Sequence, residues 1–118
     1  MLIRLDRDVT AVIEESHAKG FDTFCPVGPV VTTELDLSNG IKVQTRVNGR
    51  LLQDGNTRDM MFPVDQIINF ISQFCTLLPG DLVATGTPEG VGPLENGDVV
   101  EVTVEGIGTL RNPVVNEQ

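Results

Sequence analysis

The sequence predicts an α+β fold that is rich in β-structure, with mostly antiparallel strands and one packed helix. Residues 41–47 and 99–105 alternate apolar with polar side chains, which is the period of a strand with one buried face. Residues 64–77 repeat apolar side chains at steps of three and four, which is typical of an amphipathic helix. The length of 118 residues fits a single domain over residues 1–118.

The N-terminal part carries weaker patterns. Residues 1–7 alternate and predict a short strand, whereas residues 9–18 fit either a short helix or an ordered loop. Pro26 and Pro29 interrupt regular structure ahead of a β-branched run at residues 30–33.

A hairpin follows the first clearly alternating strand. Asn48-Gly49 predicts a two-residue turn, because both positions accept a positive φ. The return strand is expected over residues 50–53. The packed helix is then expected over about residues 63–78, since Pro63 suits a first helical turn and Pro79-Gly80 ends the pattern.

The last third predicts three further strands. Residues 81–85 and 99–105 are the first two, and residues 96–98 turn the chain into the second of them. Gly106 permits a tight turn back into the third, at residues 107–110.

Composition excludes some classes of partner. The formal net charge of −9 argues against nucleic acid, because phosphate neutralisation needs clustered Lys and Arg. No apolar run reaches membrane-spanning length, and the N-terminus is charged too early for a signal peptide. Cys25 and Cys75 form neither a disulfide framework nor a zinc-ligand spacing, which favours reduced, packed thiols. We therefore expect a soluble, cytoplasmic protein.

Two glycine-bent loops carry the most specific motifs, at residues 47–57 and 85–92. With other segments in the same order, these motifs resemble the C-terminal part of the fumarylacetoacetate hydrolase family, in its acylpyruvase and 2-hydroxyhepta-2,4-diene-1,7-dioate isomerase-like branches. The matching segments are residues 8–11, 18–26, 47–49, 53–57 (Gln-Asp-Gly-Asn-Thr), 60–62, 78–81, 85–92 (Thr-Gly-Thr-Pro-Glu-Gly-Val-Gly) and 106–110.

The resemblance implies a β-sandwich-like roll, a homodimer and a divalent metal, most often Mg²⁺ or Mn²⁺ and sometimes Ca²⁺. It also implies a small oxo-acid substrate with a 1,3-dicarbonyl or enol, which is hydrolysed at a C–C bond, decarboxylated or isomerised, as in aromatic catabolism. Asp8 matches the metal aspartate, Lys19 a catalytic and substrate-binding lysine, and Thr87 a substrate-binding hydroxyl. Hard oxygen ligands suit such metals, and positive charge stabilises the enolate that these reactions form.

The resemblance is partial. The Glu-x-Glu metal pair of the family has no counterpart in the chain, nor does its lid with a catalytic His and Glu. This predicts a partial catalytic domain, from a truncated or rearranged gene product. Two non-catalytic alternatives are a structural remnant of the family and a small-acid-binding module that retains Lys19 and Thr87.

Each candidate residue also has an ordinary structural interpretation. Asp8 fits a helix N-cap, Lys19 a surface lysine, and Thr87 a turn cap. His17, the sole histidine, fits an exposed residue or a general base. Glu14-Glu15 offers stand-in metal ligands, although neighbouring strand residues point to opposite faces.

Overall fold

Five strands, one short 3₁₀ turn and one α-helix make up the parts of the chain that the computed structural model describes, which are the backbone of residues 3–5 and residues 21–116. The strands are β1 (Ile3–Leu5), β2 (Lys42–Val47), β3 (Arg50–Asn56), β4 (Val99–Val104) and β5 (Gly108–Asn116), the 3₁₀ turn is Thr57–Asp59, and the helix is α1 (Val64–Ser72). They form one sheet in the order β1-β5-β4-β2-β3, in which β2 to β5 are antiparallel and β1 runs parallel to β5.

The pairing of β2 with β4 defines the buried face of the sheet. Val47 lies opposite Val100, and Val100 lies opposite Asn112 on β5. Val100 and Asn112 are buried together with Val114, which lies two residues further along β5 on the same face. Strand alternation thus gathers the β-branched residues that the sequence pattern marks as apolar.

The opposite face of the sheet is polar. Glu101 pairs with Arg111 across β4 and β5, with 3.3 Å between Oε1 and Nε. Two residue pairs further along the same strands, the hydroxyls of Thr103 and Thr109 lie 2.8 Å apart. This face therefore needs no apolar cover.

The predicted Asn48-Gly49 hairpin is confirmed, and Asn48 also joins it to a second turn. Both turn residues have positive φ, at 51° and 80°. The Asn48 amide donates to Asp98 Oδ1 at 2.8 Å, and its Oδ1 accepts from Val99 N at 2.9 Å. The Glu95 backbone N–H and the Asn48 amide both donate to the Asp98 carboxylate, so the pKa of Asp98 lies below its ordinary value.

The strands on both sides of this hairpin are confirmed, but β3 is longer than predicted and irregular. It continues to Asn56, where its backbone still pairs with Lys42. Thr45 lies opposite Gln53 and Arg46 opposite Leu51, so Leu52 is an extra residue without a partner, as in a β-bulge. Strand β5 likewise extends beyond the predicted residues 107–110, to Asn116.

The predicted helix forms, but it is shorter and more exposed than expected. It ends at Ser72, whose hydroxyl donates to the Asn69 carbonyl at 2.9 Å. In a continuing helix the backbone N–H of Gln73 would donate to this Asn69 carbonyl. The Ser72 hydroxyl competes for it, and Gln73 N donates to the Phe70 carbonyl instead. No helix residue is fully buried, and Val64, Ile67 and Ile71 are half-buried along one face, so the helix packs less closely than predicted.

Two other expectations differ from the structure. Residues 81–85 form no strand, because the Asp81 carboxylate closes a turn by accepting from Leu78 N at 2.8 Å and no described strand pairs with this segment. Cys25 and Cys75 are free thiols as expected, but both are exposed rather than packed.

Two broader expectations concern the whole architecture. The described residues contain a single sheet, and the sandwich-like roll stays a prediction. No helix in the described part of the chain is long and apolar enough to cross a membrane.

We predict that Asn48→Ala lowers the free energy of unfolding by about 1–3 kcal/mol, because two hydrogen bonds are lost and alanine disfavours positive φ. Asn48→Gly keeps the turn conformation and should cost less than alanine. Urea unfolding measures both. An equal cost would show that the backbone conformation contributes nothing.

Asn48→Ala should also raise the pKa of Asp98 towards its ordinary value, and NMR titration of the Asp98 carboxyl measures this change. A depressed carboxyl pKa stabilises the fold above a pH of about 4, and this contribution disappears as the pH falls through the folded-state pKa. Asn48→Ala should therefore lose less stability on acidification than the parent chain.

Candidate functional site

The structure describes one of the three predicted site residues. Thr87 lies in the 85–92 loop, where it is exposed. Asp8 and Lys19 lie outside the described residues, as do His17 and Glu14-Glu15. The site can therefore be built from the Thr87 side, and the juxtaposition of Thr87 with Asp8 and Lys19 stays a prediction.

The side chain of Gln53 connects strand β3 to the 85–92 loop. Its Nε2 donates to Thr87 Oγ1 at 2.9 Å and to the Pro88 carbonyl at 3.0 Å. A carbonyl oxygen only accepts, so the Gln53 atom that faces it has to be the nitrogen. Both amide hydrogens of Gln53 are thereby used to hold the loop.

The loop also lies against the backbone of β3. Pro88 packs over Gly55, where a Cβ would approach the Pro88 Cβ to 2.9 Å. Gly90, with φ of +98°, passes so close to the carbonyl of the extra residue Leu52 that a methyl group would collide with it. The two glycines permit this close approach because they have no side chain.

Strand register explains why these groups meet. Gln53 lies opposite Thr45 and Gly55 opposite Val43, and both positions belong to the buried face of the sheet. Because β3 is the edge strand, the 85–92 loop reaches this face from outside without displacing another strand. Sequence reasoning quoted Gln53 in a motif but assigned it no role, since its partner lies 34 residues away.

Several carboxylates of the described residues are bound to other groups. Asp54 accepts from the Gln44 amide at 3.0 Å and lies 3.3 Å from Lys42 Nζ, which together hold its pKa below the ordinary value. Residues 21–116 contain no group of three or more His, Cys, Asp or Glu side chains that could hold a metal ion. The described part therefore does not fit a metal by itself.

The arrangement does fit recognition of a small ligand. Thr87 presents a hydroxyl on an exposed loop, and Gln53, Gly55 and Gly90 fix that loop against a strand. A hydroxyl held in this way binds a polar group of a ligand without first losing much conformational freedom.

Comparison with known proteins identifies close relatives of this sequence. Residues 4–115 match the family model described as the fumarylacetoacetate (FAA) hydrolase C-terminal domain. The crystal structure of 5-carboxymethyl-2-hydroxymuconate delta-isomerase from Mycobacterium smegmatis is similar at a TM-score of 0.82 and 51% identity, over 86% of this chain and 40% of that one.

Two further relatives are enzymes of different kinds. Maleylpyruvate hydrolase from Sphingobium sp. SYK-6, solved in complex with manganese(II) and pyruvate, is similar at a TM-score of 0.80 and 41% identity, over 85% of this chain and 39% of that one. A mitochondrial oxaloacetate tautomerase from Bos taurus is 43% identical over 106 residues, which are 82% of this chain and 34% of that protein. The chain thus spans about two fifths of the length of these relatives.

We predict that Gly90→Ala lowers the free energy of unfolding by about 1–3 kcal/mol, because alanine is strained at this φ and collides with the Leu52 carbonyl. Gly92→Ala is the matched control: it lies in the same loop, has open space around it, and should change stability by less than about 0.5 kcal/mol. Urea unfolding measures both variants. Equal losses would contradict the close approach of the loop to β3.

Proposed function

Because residues 4–115 match its model, the chain belongs to the fumarylacetoacetate hydrolase family, and we propose that it forms the substrate-binding body of a metal-dependent enzyme acting on a small oxo acid. The reaction class is C–C hydrolysis, decarboxylation or isomerisation of a 1,3-dicarbonyl or enol acid. Its relatives are an isomerase, a hydrolase and a tautomerase, and the hydrolase was solved with pyruvate. These activities share substrates with a carbonyl group beside an acid.

One observation carries the proposal: Thr87 Oγ1 accepts from the Gln53 amide at 2.9 Å on an exposed loop. The Thr87 hydroxyl in this position is suited to donate to a carboxylate or carbonyl oxygen of the substrate. A hydrogen bond to a charged group contributes about 1.5–3 kcal/mol, more than a bond between neutral groups. In this role Thr87 binds and orients the oxo acid.

Lys19 is proposed as the catalytic residue, from its position in the motif. Proton removal beside a carbonyl, or cleavage of the adjacent C–C bond, places negative charge on the carbonyl oxygen. An ammonium group next to that oxygen stabilises the charge as it develops. The same group also attracts the carboxylate of the incoming substrate.

A divalent metal, Mg²⁺ or Mn²⁺, is proposed as the cofactor, with Asp8 as one ligand. The support is the motif position of Asp8 and the manganese in the maleylpyruvate hydrolase relative. A bound divalent cation supplies Lewis-acid stabilisation of an enolate. Residues 21–116 offer no ligand cluster, so the ligands of such a metal would lie outside this range.

The alternative function is a catalytically impaired family member that binds small acids or has a structural role. An Asp8 without further carboxylate ligands would favour it, because a single aspartate holds Mg²⁺ poorly. Binding of oxalate without turnover of any oxo acid would support this alternative over the enzyme.

We predict turnover of oxaloacetate or acetylpyruvate in the presence of Mn²⁺ or Mg²⁺, followed by the loss of enol absorbance. Thr87→Val, which keeps the shape but removes the hydroxyl, should lower kcat/KM by about 10- to 100-fold. Asp8→Ala and Lys19→Ala should abolish activity.

Thr109→Val is the matched control, because Thr109 is an exposed threonine whose hydroxyl, among the described residues, bonds Thr103 on the polar face of the sheet. It should leave kcat/KM unchanged. The proposal fails if neither metal supports turnover, or if Thr87→Val and Thr109→Val behave alike.

A homodimer is proposed as the assembly, with the helix region in the contact. Phe62, Phe70 and Phe74 are 57%, 63% and 65% exposed, and the rings of Phe70 and Phe74 meet edge to face with centroids 5.2 Å apart. Three aromatic side chains at this exposure leave roughly 300–450 Å² of apolar surface in water. That surface is a large part of the roughly 800 Å² that each partner buries in a stable complex.

We predict a dimer by sedimentation at micromolar concentration. The double variant Phe70→Asp/Phe74→Asp should shift it to a monomer, because burying two carboxylates in an apolar contact is costly. Val31→Asp is the control, since Val31 is 86% exposed but lies outside the helix region. A parent chain that sediments as a monomer at every concentration would refute the dimer.

A further inference from the structure

We propose that Gln53 is a positioning residue that, by donating to Thr87 Oγ1, keeps the Thr87 hydrogen available for a ligand oxygen and so favours a charged acceptor over a neutral one. The chemical class is a carboxylate oxygen, in preference to a neutral carbonyl oxygen, because a hydrogen bond to a charged group is the stronger of the two. This inference deepens the proposed function and rests on it for the identity of the ligand.

The first step is the polarity of the Gln53 side chain. Its amide group faces two oxygens, Thr87 Oγ1 at 2.9 Å and the Pro88 carbonyl at 3.0 Å. The carbonyl cannot donate, so the nitrogen occupies this position and supplies one hydrogen to each oxygen. The reversed amide would place two acceptors against each other and leave the Pro88 carbonyl without its donor.

The second step concerns the proton of Thr87. A threonine hydroxyl has one hydrogen and two acceptor lone pairs, and the Gln53 amide occupies one lone pair. The only described acceptor near the hydroxyl is the Pro88 carbonyl, at 3.5 Å. That distance is far beyond the usual 2.7–2.8 Å of an O–H···O bond, and the same carbonyl already accepts from Gln53.

The third step is the consequence for a ligand. The Thr87 hydrogen is left without a good acceptor on the described residues, and Thr87 is exposed. A ligand oxygen that accepts completes the bond of this hydrogen, and a carboxylate oxygen does so more strongly than a neutral carbonyl oxygen because it is charged. The arrangement therefore favours a charged acceptor.

The position of Gln53 is well suited to this role. It is half-buried on a strand, opposite Thr45, and it follows the bulge at Leu52. A side chain that starts from a paired strand has a fixed backbone origin, so its amide group is more precisely placed than one on a free loop.

The test compares oxalate, whose accepting oxygens are charged, with oxamide, whose two carbonyl oxygens also accept but are neutral. Isothermal titration without metal gives the ratio of the two dissociation constants for each variant. The parent chain should prefer oxalate. In Gln53→Met, which keeps the size and the zero charge, the preference should fall by about fivefold to tenfold. Thr87→Val should reduce it at least as much.

Gln44→Met is the matched control. Gln44 lies on the neighbouring strand and donates its amide to Asp54 at 3.0 Å, on the other face of the sheet. This variant also replaces a bonded glutamine amide by a thioether, but it should leave the oxalate-to-oxamide ratio unchanged.

A spectroscopic readout tests the contact directly. In ¹⁵N-edited NMR spectra, Thr87→Val should shift the side-chain amide resonances of Gln53, whereas Thr109→Val should leave them in place. A general loss of stability would not produce this selective shift.

The outcomes separate the two proposals. A preference for oxalate over oxamide that depends on Gln53, in a chain that turns over no oxo acid, would refute the proposed enzyme and support this inference. An unchanged ratio in Gln53→Met, equal binding of oxalate and oxamide, or no binding of either by the parent chain would each overturn the inference.

Discussion

The antiparallel pairing of β2 with β4 is the constraint on which the rest of the described structure depends. It places Val47 against Val100, and this register assigns a face to every residue of the neighbouring strands. Gln53 and Gly55 face the buried side only because β3 continues this register across β2. The site is thus a consequence of sheet geometry: a shift of one residue would turn the Gln53 amide away from the 85–92 loop.

The sequence predicts local structure correctly wherever residues close together in the chain decide it. The Asn48-Gly49 turn requires positive φ at both positions, and the alternation on both sides of it marks the strands. The same reasoning located the helix but not its end, because the apolar repeat continues past Ser72 while the Ser72 hydroxyl competes for the Asn69 carbonyl.

Features that depend on distant residues were not readable. Residues 81–85 have the composition of a strand, yet a strand also needs a neighbour to pair with, and none of the described strands pairs with this segment. The contact between Gln53 and Thr87 spans 34 residues and has no local signature. Thr87 was identified only through the family resemblance, and its polar partner became apparent only in three dimensions.

The bulge at Leu52 has an evolutionary consequence. Deletion of that one residue would leave Gln53 opposite Thr45 and make the hairpin regular, while removing the carbonyl that Gly90 approaches. The sheet would survive this deletion, but the 85–92 loop would be held less tightly against β3. Descendants of this chain can therefore lose the contact between the 85–92 loop and β3 without losing the sheet, and a one-codon gap at this position would be the genetic trace of such a loss.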